Sequence, residues 1–173
     1  MPNLVDASFF VGDINIPNTQ KAEIAESLNI FISRYERELL IHLFGFELYN
    51  SYLLDPATDR FVKIISGSVD DNWRGLVYNI TDTVKGSLIA YYVYNFWLKD
   101  KHVWNSGVGT VRAKGNVTEV MPVAIKLTDA WNEFSRQVLE FTYYMGQDGN
   151  TTVYPEWEPF GLSFYRRTND FDI

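Results

Sequence analysis

The stretch "TDTVKGSLIAYYVYNFWLKDK", residues 81–101, constrains the fold most, because it is apolar on nearly every side of a helix. A Thr or Asp at its start and lysines at its end suit the dipole of a helix. A helix without a polar face must be enclosed by other elements. Its longest apolar run, Leu88–Leu98, is interrupted by Asn95 and is too short to span a bilayer. The sequence therefore predicts a central helix within a folded core.

Two amphipathic segments predict the helices that enclose this central one. The first begins near Asn18 or Thr19, either of which can cap it, and stops at Gly45. Its apolar residues recur at steps of three and four: Ile24, Leu28, Phe31, Tyr35, Leu39 and Leu43. The second segment, Ala124–Met145, follows Pro122 at a favourable first helical position. Its apolar stripe consists of Leu127, Trp131, Phe134, Val138, Phe141 and Met145.

The other segments complete a mainly α fold. A short helix, Phe46–Leu54, is predicted to end before Asp55 and Pro56, whereas residues 60–80 fit either a strand or a helical turn. We predict a small bundle of about four helices with a β-hairpin-like arm, in a single domain covering residues 1–173. This domain comprises an extended segment at residues 1–17, a helical core at 18–146 and an extended, aromatic, proline-containing tail at 147–173.

A polar arm, "GVGTVRAKGNVTEV" at residues 107–120, separates the two helices richest in apolar residues. Small and polar residues alternate along its first half, "KGN" offers a turn, and the chain then leads back toward Pro122. This pattern predicts a β-hairpin or an extended arm at residues 107–121. Its edges would carry free backbone donors and acceptors.

Composition limits the classes of function. A formal net charge of -7 disfavours a protein that grips nucleic acid through clustered Lys and Arg. There is no cysteine, which excludes disulfides and thiolate chemistry, and the start of the chain lacks the pattern of a signal peptide. We therefore expect a protein made in the cytoplasm. Aromatic residues make up 16% of the chain, which favours large contact surfaces.

No catalytic, cofactor or metal motif stands out. The two histidines, His42 and His102, lack a second ligand at helical spacing. Asp70 and Asp71 sit beside Asn72 in a segment typical of a solvated turn. The glycines of "GVGTVRAKG" do not follow the order of a phosphate-binding loop. The sequence thus predicts neither an enzyme nor a cofactor-binding protein.

Several features occur in one order along the chain. They are "INIPN", a helix with "FISRYERELLIHLFGFELY", a turn with "WRGL", a Tyr-rich central helix, a Gly-Val-Thr-Asn arm, a helix with "AWNEF" and a tail ending "NDFDI". This layout resembles the head-to-tail connector, or neck adaptor, proteins of tailed bacteriophages, in particular those of Bacteroides-like hosts and crAss-like phages. The likeness covers nearly the whole chain except residues 60–80.

The resemblance implies a structural virion protein in the phage neck. Such proteins form small helical bundles that assemble into rings, typically of twelve subunits, between a portal and another neck or tail protein. An acidic ring would let DNA pass without binding its phosphates tightly. We expect two sets of interface residues. The arm would contribute Val108, Thr110, Val111, Arg112, Lys114 and Asn116, and the tail Trp157, Phe160, Phe164, Tyr165, Arg166, Arg167 and Phe171.

Two alternatives belong to other classes of function. A small carbohydrate- or ligand-binding module could use an aromatic platform of Tyr91, Tyr92, Trp97 and Trp104, although such a stripe at helical spacing is typical of a core. A hydrolase could use Asp70 or Asp71 with His102, but no motif fixes that geometry. For the tail, folding back on its own domain is the alternative to docking on a partner.

Overall fold

A computed structural model describes residues 3–106, 109–112 and 123–161 of the chain. Within these ranges the protein is mostly helical, which confirms the predicted fold class. The helices are α1 Ala22–Phe44, α2 Phe46–Leu54, α3 Asp59–Ser66, α4 Leu88–His102, α5 Val123–Met145 and α6 Asp148–Val153. Two antiparallel strand pairs accompany them: β1 Val77–Asn79 with β2 Lys85–Ser87, and β3 Val103–Ser106 with β4 Gly109–Arg112.

Helix α4 is the central element, as its sequence predicts. It packs against both α1 and α5, and its residues Ile89, Ala90 and Val93 are fully buried. The Phe96 ring stacks on Tyr35 of α1 with centroids 4.2 Å apart. The helix starts at Leu88 rather than near Thr81, because residues 85–87 pair as a strand with residues 77–79.

Helix α1 ends where the sequence predicts and starts later. Its first residue is Ala22, and Lys21 precedes it without a side-chain cap, so the predicted cap at Asn18 or Thr19 is wrong. Asn18 instead adopts a left-handed conformation, with φ of 61°, in the preceding turn. Gly45 separates α1 from α2 with φ of 79°. A Cβ at Gly45 would also collide with the carbonyl of Glu158, so glycine is required there by two independent constraints.

Residues 59–80, ambiguous in the sequence, contain both kinds of structure. Helix α3 is followed by a tight turn in which Ser68 and Trp73 exchange backbone hydrogen bonds of 2.7 and 2.9 Å. The indole of Trp73 turns into the core and donates its Nε1–H to the carbonyl of Ile64 at 3.0 Å. Strand β1 follows four residues later, so the segment folds around a buried tryptophan.

The N-terminal segment belongs to the core, which corrects the prediction of a merely extended entry. Its two short 3₁₀ turns, Ala7–Phe9 and Gly12–Ile14, place a series of apolar side chains in the interior. The buried members are Val5, Phe9, Phe10, Ile14 and Ile16. Apolar burial on this scale makes residues 4–16 a strap that covers the helices.

Glu36 of α1 fastens this strap. Its carboxylate accepts the Leu4 N–H at 2.9 and 3.0 Å and the Val5 N–H at 3.2 Å, while the side chain itself is buried. Burial raises the pKa of Glu36, and the hydrogen bonds from Leu4 and Val5 only partly offset that rise. The ionised carboxylate therefore binds the strap at a desolvation cost.

The hairpin of the arm begins earlier than predicted. Strand β3 pairs with strand β4 so that Val103 lies opposite Arg112 and Ser106 opposite Gly109. Residues 109–112 of the predicted arm therefore form the second strand of a hairpin whose first strand, residues 103–106, lies before the arm. The predicted turn at "KGN", residues 114–116, lies outside the described residues, as does Pro122.

The tail also departs from the prediction at its start. Residues 148–153 form helix α6 rather than an extended chain, and Asn150 anchors it by donating its side-chain N–H to the carbonyl of Tyr144 at 2.6 Å. Among all the helices in the described ranges, none combines the length and the apolar character needed to cross a membrane.

The buried carboxylate of Glu36 predicts a specific pH dependence. Since its folded-state pKa is raised, its contribution to the free energy of unfolding is fully present below the ordinary glutamate value of about 4.3 and is lost as the pH rises through the folded-state pKa. Glu36→Gln should remove this loss. We expect urea unfolding between pH 4 and pH 7 to show a smaller decline in stability for this variant than for the wild type.

Glu26→Gln is the matched control, because it removes one carboxylate from the exposed side of the same helix. Equal declines in the wild type and in Glu36→Gln would show that the buried carboxylate does not govern this pH dependence.

Candidate functional site

A groove between the turn at residues 68–73 and the outer side of α5 is the candidate functional surface. It has a volume of about 880 Å³ and is called the α5 groove below. Its walls come from Ser68, Val69, Asp71, Asn72, Trp73, Arg74, Arg136, Leu139, Glu140, Tyr143, Tyr144 and Gln147. Trp73 and Tyr144 belong to the core, so the groove lies directly over the packed interior.

Large apolar side chains in the α5 groove face solvent. Val69 is 97% exposed, Tyr143 75% and Leu139 64%. Leu139 and Tyr143 are four residues apart and therefore lie one above the other on the same face of α5. Exposed apolar groups that cluster in this way, with charged residues around them, are typical of protein contact surfaces, which makes this groove the candidate.

The wall carrying Val69 is conformationally fixed. The Ser68 hydroxyl donates to the Asp71 carboxylate at 2.6 Å, in addition to the backbone pairing of Ser68 with Trp73. Asn72 adopts a left-handed conformation, with φ of 50°. Because these hydrogen bonds already fix the turn, binding of a partner to Val69 would cost little further conformational entropy in the turn.

Ion pairs form the rim of the α5 groove. Each carboxylate oxygen of Glu140 accepts a hydrogen bond from one guanidinium: one oxygen from Arg74 at 2.5 Å and the other from Arg136. Arg136 also forms an ion pair with Glu133. Burial disfavours ionisation of Glu133, but the hydrogen bonds from Arg136 and Gln137 outweigh it and lower the pKa of that carboxyl. These ion pairs orient both arginines at the rim, where their side chains are about one third exposed.

The structure reaches only part of the predicted arm interface. Thr110, Val111 and Arg112 lie in strand β4, where their backbone pairs with residues 103–105. The remaining predicted arm residues, Val108, Lys114 and Asn116, lie outside the described residues. Strand β3 continues directly from α4, so the hairpin starts at the end of the central helix.

Two of the predicted tail residues lie against their own subunit. The Trp157 indole donates to the Leu43 carbonyl at 2.8 Å and its ring lies 6.3 Å from that of Phe141. The Phe160 ring stacks on Phe46 at 5.3 Å. Over residues 154–161 the tail therefore folds back. The other tail residues, Phe164, Tyr165, Arg166, Arg167 and Phe171, lie outside the described residues.

Among the residues of the two alternative functions, Tyr92 and Asp71 are held by contacts within the fold. Tyr92 is 2% exposed and donates its hydroxyl to Glu38 at 2.7 Å, so its ring does not offer a platform to a sugar. Tyr91 is half-buried, and this burial raises its pKa to about 12. Asp71 is engaged within its turn, and the side chain of His102 lies outside the described residues.

In the part of the chain that the structure describes, no group of three His, Asp or Glu side chains converges on one point. The unpartnered buried polar atoms in these ranges are the indole Nε1 of Trp97 and the hydroxyl of Ser135. These two atoms do not make a binding site on their own.

The α5 groove is absent from the sequence-based prediction, although a signal for it exists. Leu139 and Tyr143 fall off the apolar stripe that faces the core, and their spacing of four residues places them together on the opposite side. Val69 lines the same groove only because of the turn at residues 68–73, whose fold the sequence leaves open.

Comparisons of the chain with protein-family models, with curated proteins and with solved structures found no match. The geometry of the described residues and the order of features along the sequence therefore carry the functional argument.

Trp157 and Tyr143 form a contrasting pair for stability. Trp157→Ala should lower the free energy of unfolding by about 2–4 kcal/mol, because it removes a packed ring and its hydrogen bond to Leu43. Tyr143→Ala should change it by less than about 0.5 kcal/mol, because that ring faces solvent. Chemical denaturation measures both, and a stability of Trp157→Ala equal to that of the wild type would refute the packing role of the tail.

Proposed function

We propose that this chain is a structural subunit that assembles with copies of itself into a ring in the neck of a tailed-phage virion. Its other partners would be the portal on one side and a neck or tail protein on the other. The observation that carries the proposal is the coexistence of a closed core with the exposed apolar α5 groove. A closed core allows the subunit to fold alone, and the exposed groove leaves a surface to bury on assembly.

A closed ring requires two different contact surfaces on each subunit, since every copy meets one neighbour on each side. The hairpin and the α5 groove supply two separate candidates. The end of α4, from which the hairpin starts, lies near Trp131, whose ring is 5.9 Å from the Lys99 ammonium. Leu139 is eight residues further along α5, or about 12 Å along the helix axis.

The hairpin suits a lateral contact because of its backbone. A two-stranded ribbon leaves unpaired N–H and C=O groups along its outer edges, and an adjacent strand can pair with them. The net charge of -7 supports the second part of the proposal, a ring around a passage for DNA. A surface of the same sign as the phosphates lets the duplex move without binding it tightly.

Replacing residues 107–121 by a short Gly-Ser linker tests the assembly function. Helical content and thermal unfolding should stay close to those of the wild type, while ring formation should be lost. Circular dichroism measures the first two quantities, and native mass spectrometry with negative-stain electron microscopy measures the third. Rings formed by the variant, or a large loss of subunit stability, would contradict the role of the arm.

A further inference from the structure

The strap at residues 4–16 lies on the helical bundle as a separate segment would lie on a binding surface. Its first 3₁₀ turn, Ala7–Phe9, contacts α1 and β2, and its second, Gly12–Ile14, contacts α4 and α5. Glu36 of α1 binds the backbone at the start of the strap. The bundle surface under the strap is thus complementary to one segment, and every copy of the chain carries that segment.

A turn at residues 17–21 joins the strap to α1. Most of its residues are exposed, and the Lys21 N–H donates to the Asn18 carbonyl at 3.0 Å. Asn18 has φ of 61°, in the left-handed region, which costs free energy for a residue with a Cβ. Because the turn lies outside the core, its backbone can change conformation without disturbing the packing of the helices.

The local sequence of this turn favours another conformation. Asn18 and Thr19 are preferred residues for the N-cap of a helix, so α1 would start directly after one of them. In the structure α1 starts at Ala22, and Lys21 before it makes no side-chain cap. The strap returns to the middle of α1, so the chain has to turn back before that helix begins. The fold-back of the strap and the local preference of residues 18–19 therefore oppose each other.

We propose that residues 17–21 are a hinge and that, on assembly, the strap leaves its own bundle and binds the same surface of a neighbouring copy. The exchanged strap regains on the neighbour the contacts that it loses at home, while α1 extends back to a cap at Asn18 or Thr19 and the left-handed turn disappears. The proposal rests on the proposed ring, to which it adds one link between copies. The strap and the surface under it differ, so exchange from each copy to the next can close a ring.

Crosslinking directly before the strap tests the exchange, since the chain has no cysteine. The Asn3 side chain donates to the Ser33 hydroxyl at 3.1 Å, and both residues are exposed. Full-length Asn3→Cys and full-length Ser33→Cys, with different affinity tags, are co-expressed, and the assembled species is treated with a short bismaleimide. We expect covalent dimers that carry both tags, because the strap of one chain then lies on α1 of the other. An assembled species without such dimers would overturn the proposal.

Asn3→Cys co-expressed with Leu139→Cys is the matched control. Leu139 is exposed as well, but it lines the α5 groove rather than the surface under the strap. Mixed dimers in equal yield from the control pair would overturn the proposal. So would a double variant, Asn3→Cys with Ser33→Cys, that crosslinks only within one chain in the assembled species, because each strap would then lie on its own bundle.

A second measurement addresses the hinge. Asn18→Gly, added to both crosslinking variants, should lower the yield of mixed dimers by at least about threefold, because glycine adopts the left-handed conformation freely and favours the folded-back strap. Asn15→Gly is its control, since it introduces the same residue at an ordinary φ of -62°. Equal yields from the two glycine variants would refute the hinge.

The outcomes also separate this proposal from the ring. Rings whose crosslinks form only within one chain would overturn the exchange alone. A chain that stays monomeric at every concentration would overturn the ring as well.

Discussion

Tyr92 lies where α1, α4 and α5 meet, and the arrangement of the three long helices depends on its contacts. Its ring is 6.2 Å from Tyr35 of α1 and 5.2 Å from Phe134 of α5, and its hydroxyl binds Glu38. A tyrosine can fill this position because its ring packs in the interior while its hydroxyl finds a carboxylate partner at the edge. With the core closed in this way, the remaining exposed apolar groups are available for contacts between molecules.

The sequence predicts the long helices well because their apolar spacing reflects burial directly. The stripes of α1 and α5 and the all-round apolar character of α4 each match the observed packing. The strap at residues 4–16 is not predictable in this way, because it has no regular period and is held by the long-range bond from Leu4 to Glu36. The fold of residues 59–80 likewise depends on Trp73 reaching Ile64, a contact that local propensity does not encode.

The candidate site is divided between what the sequence indicates and what only the fold reveals. The arm is visible in the sequence as a polar stretch between two apolar helices. The first strand of its hairpin, residues 103–106, nevertheless lies before that stretch. Val69 and Tyr143 line the same groove although they are 74 positions apart in the sequence, so the α5 groove is a product of tertiary structure. In the tail, the proline and aromatic content indicates that the side chains make contacts but does not say with which surface. The structure shows that Trp157 contacts the core of its own subunit.

The account rests on one claim, that a closed subunit associates through two different surfaces. Sedimentation velocity of the unmodified full-length chain over a range of concentrations tests it most directly. If two different surfaces join the subunits into a closed ring, a single large species of fixed size should form, and its fraction should rise with concentration. A monomer at every concentration, or a species that stops at a symmetric dimer, would contradict the claim.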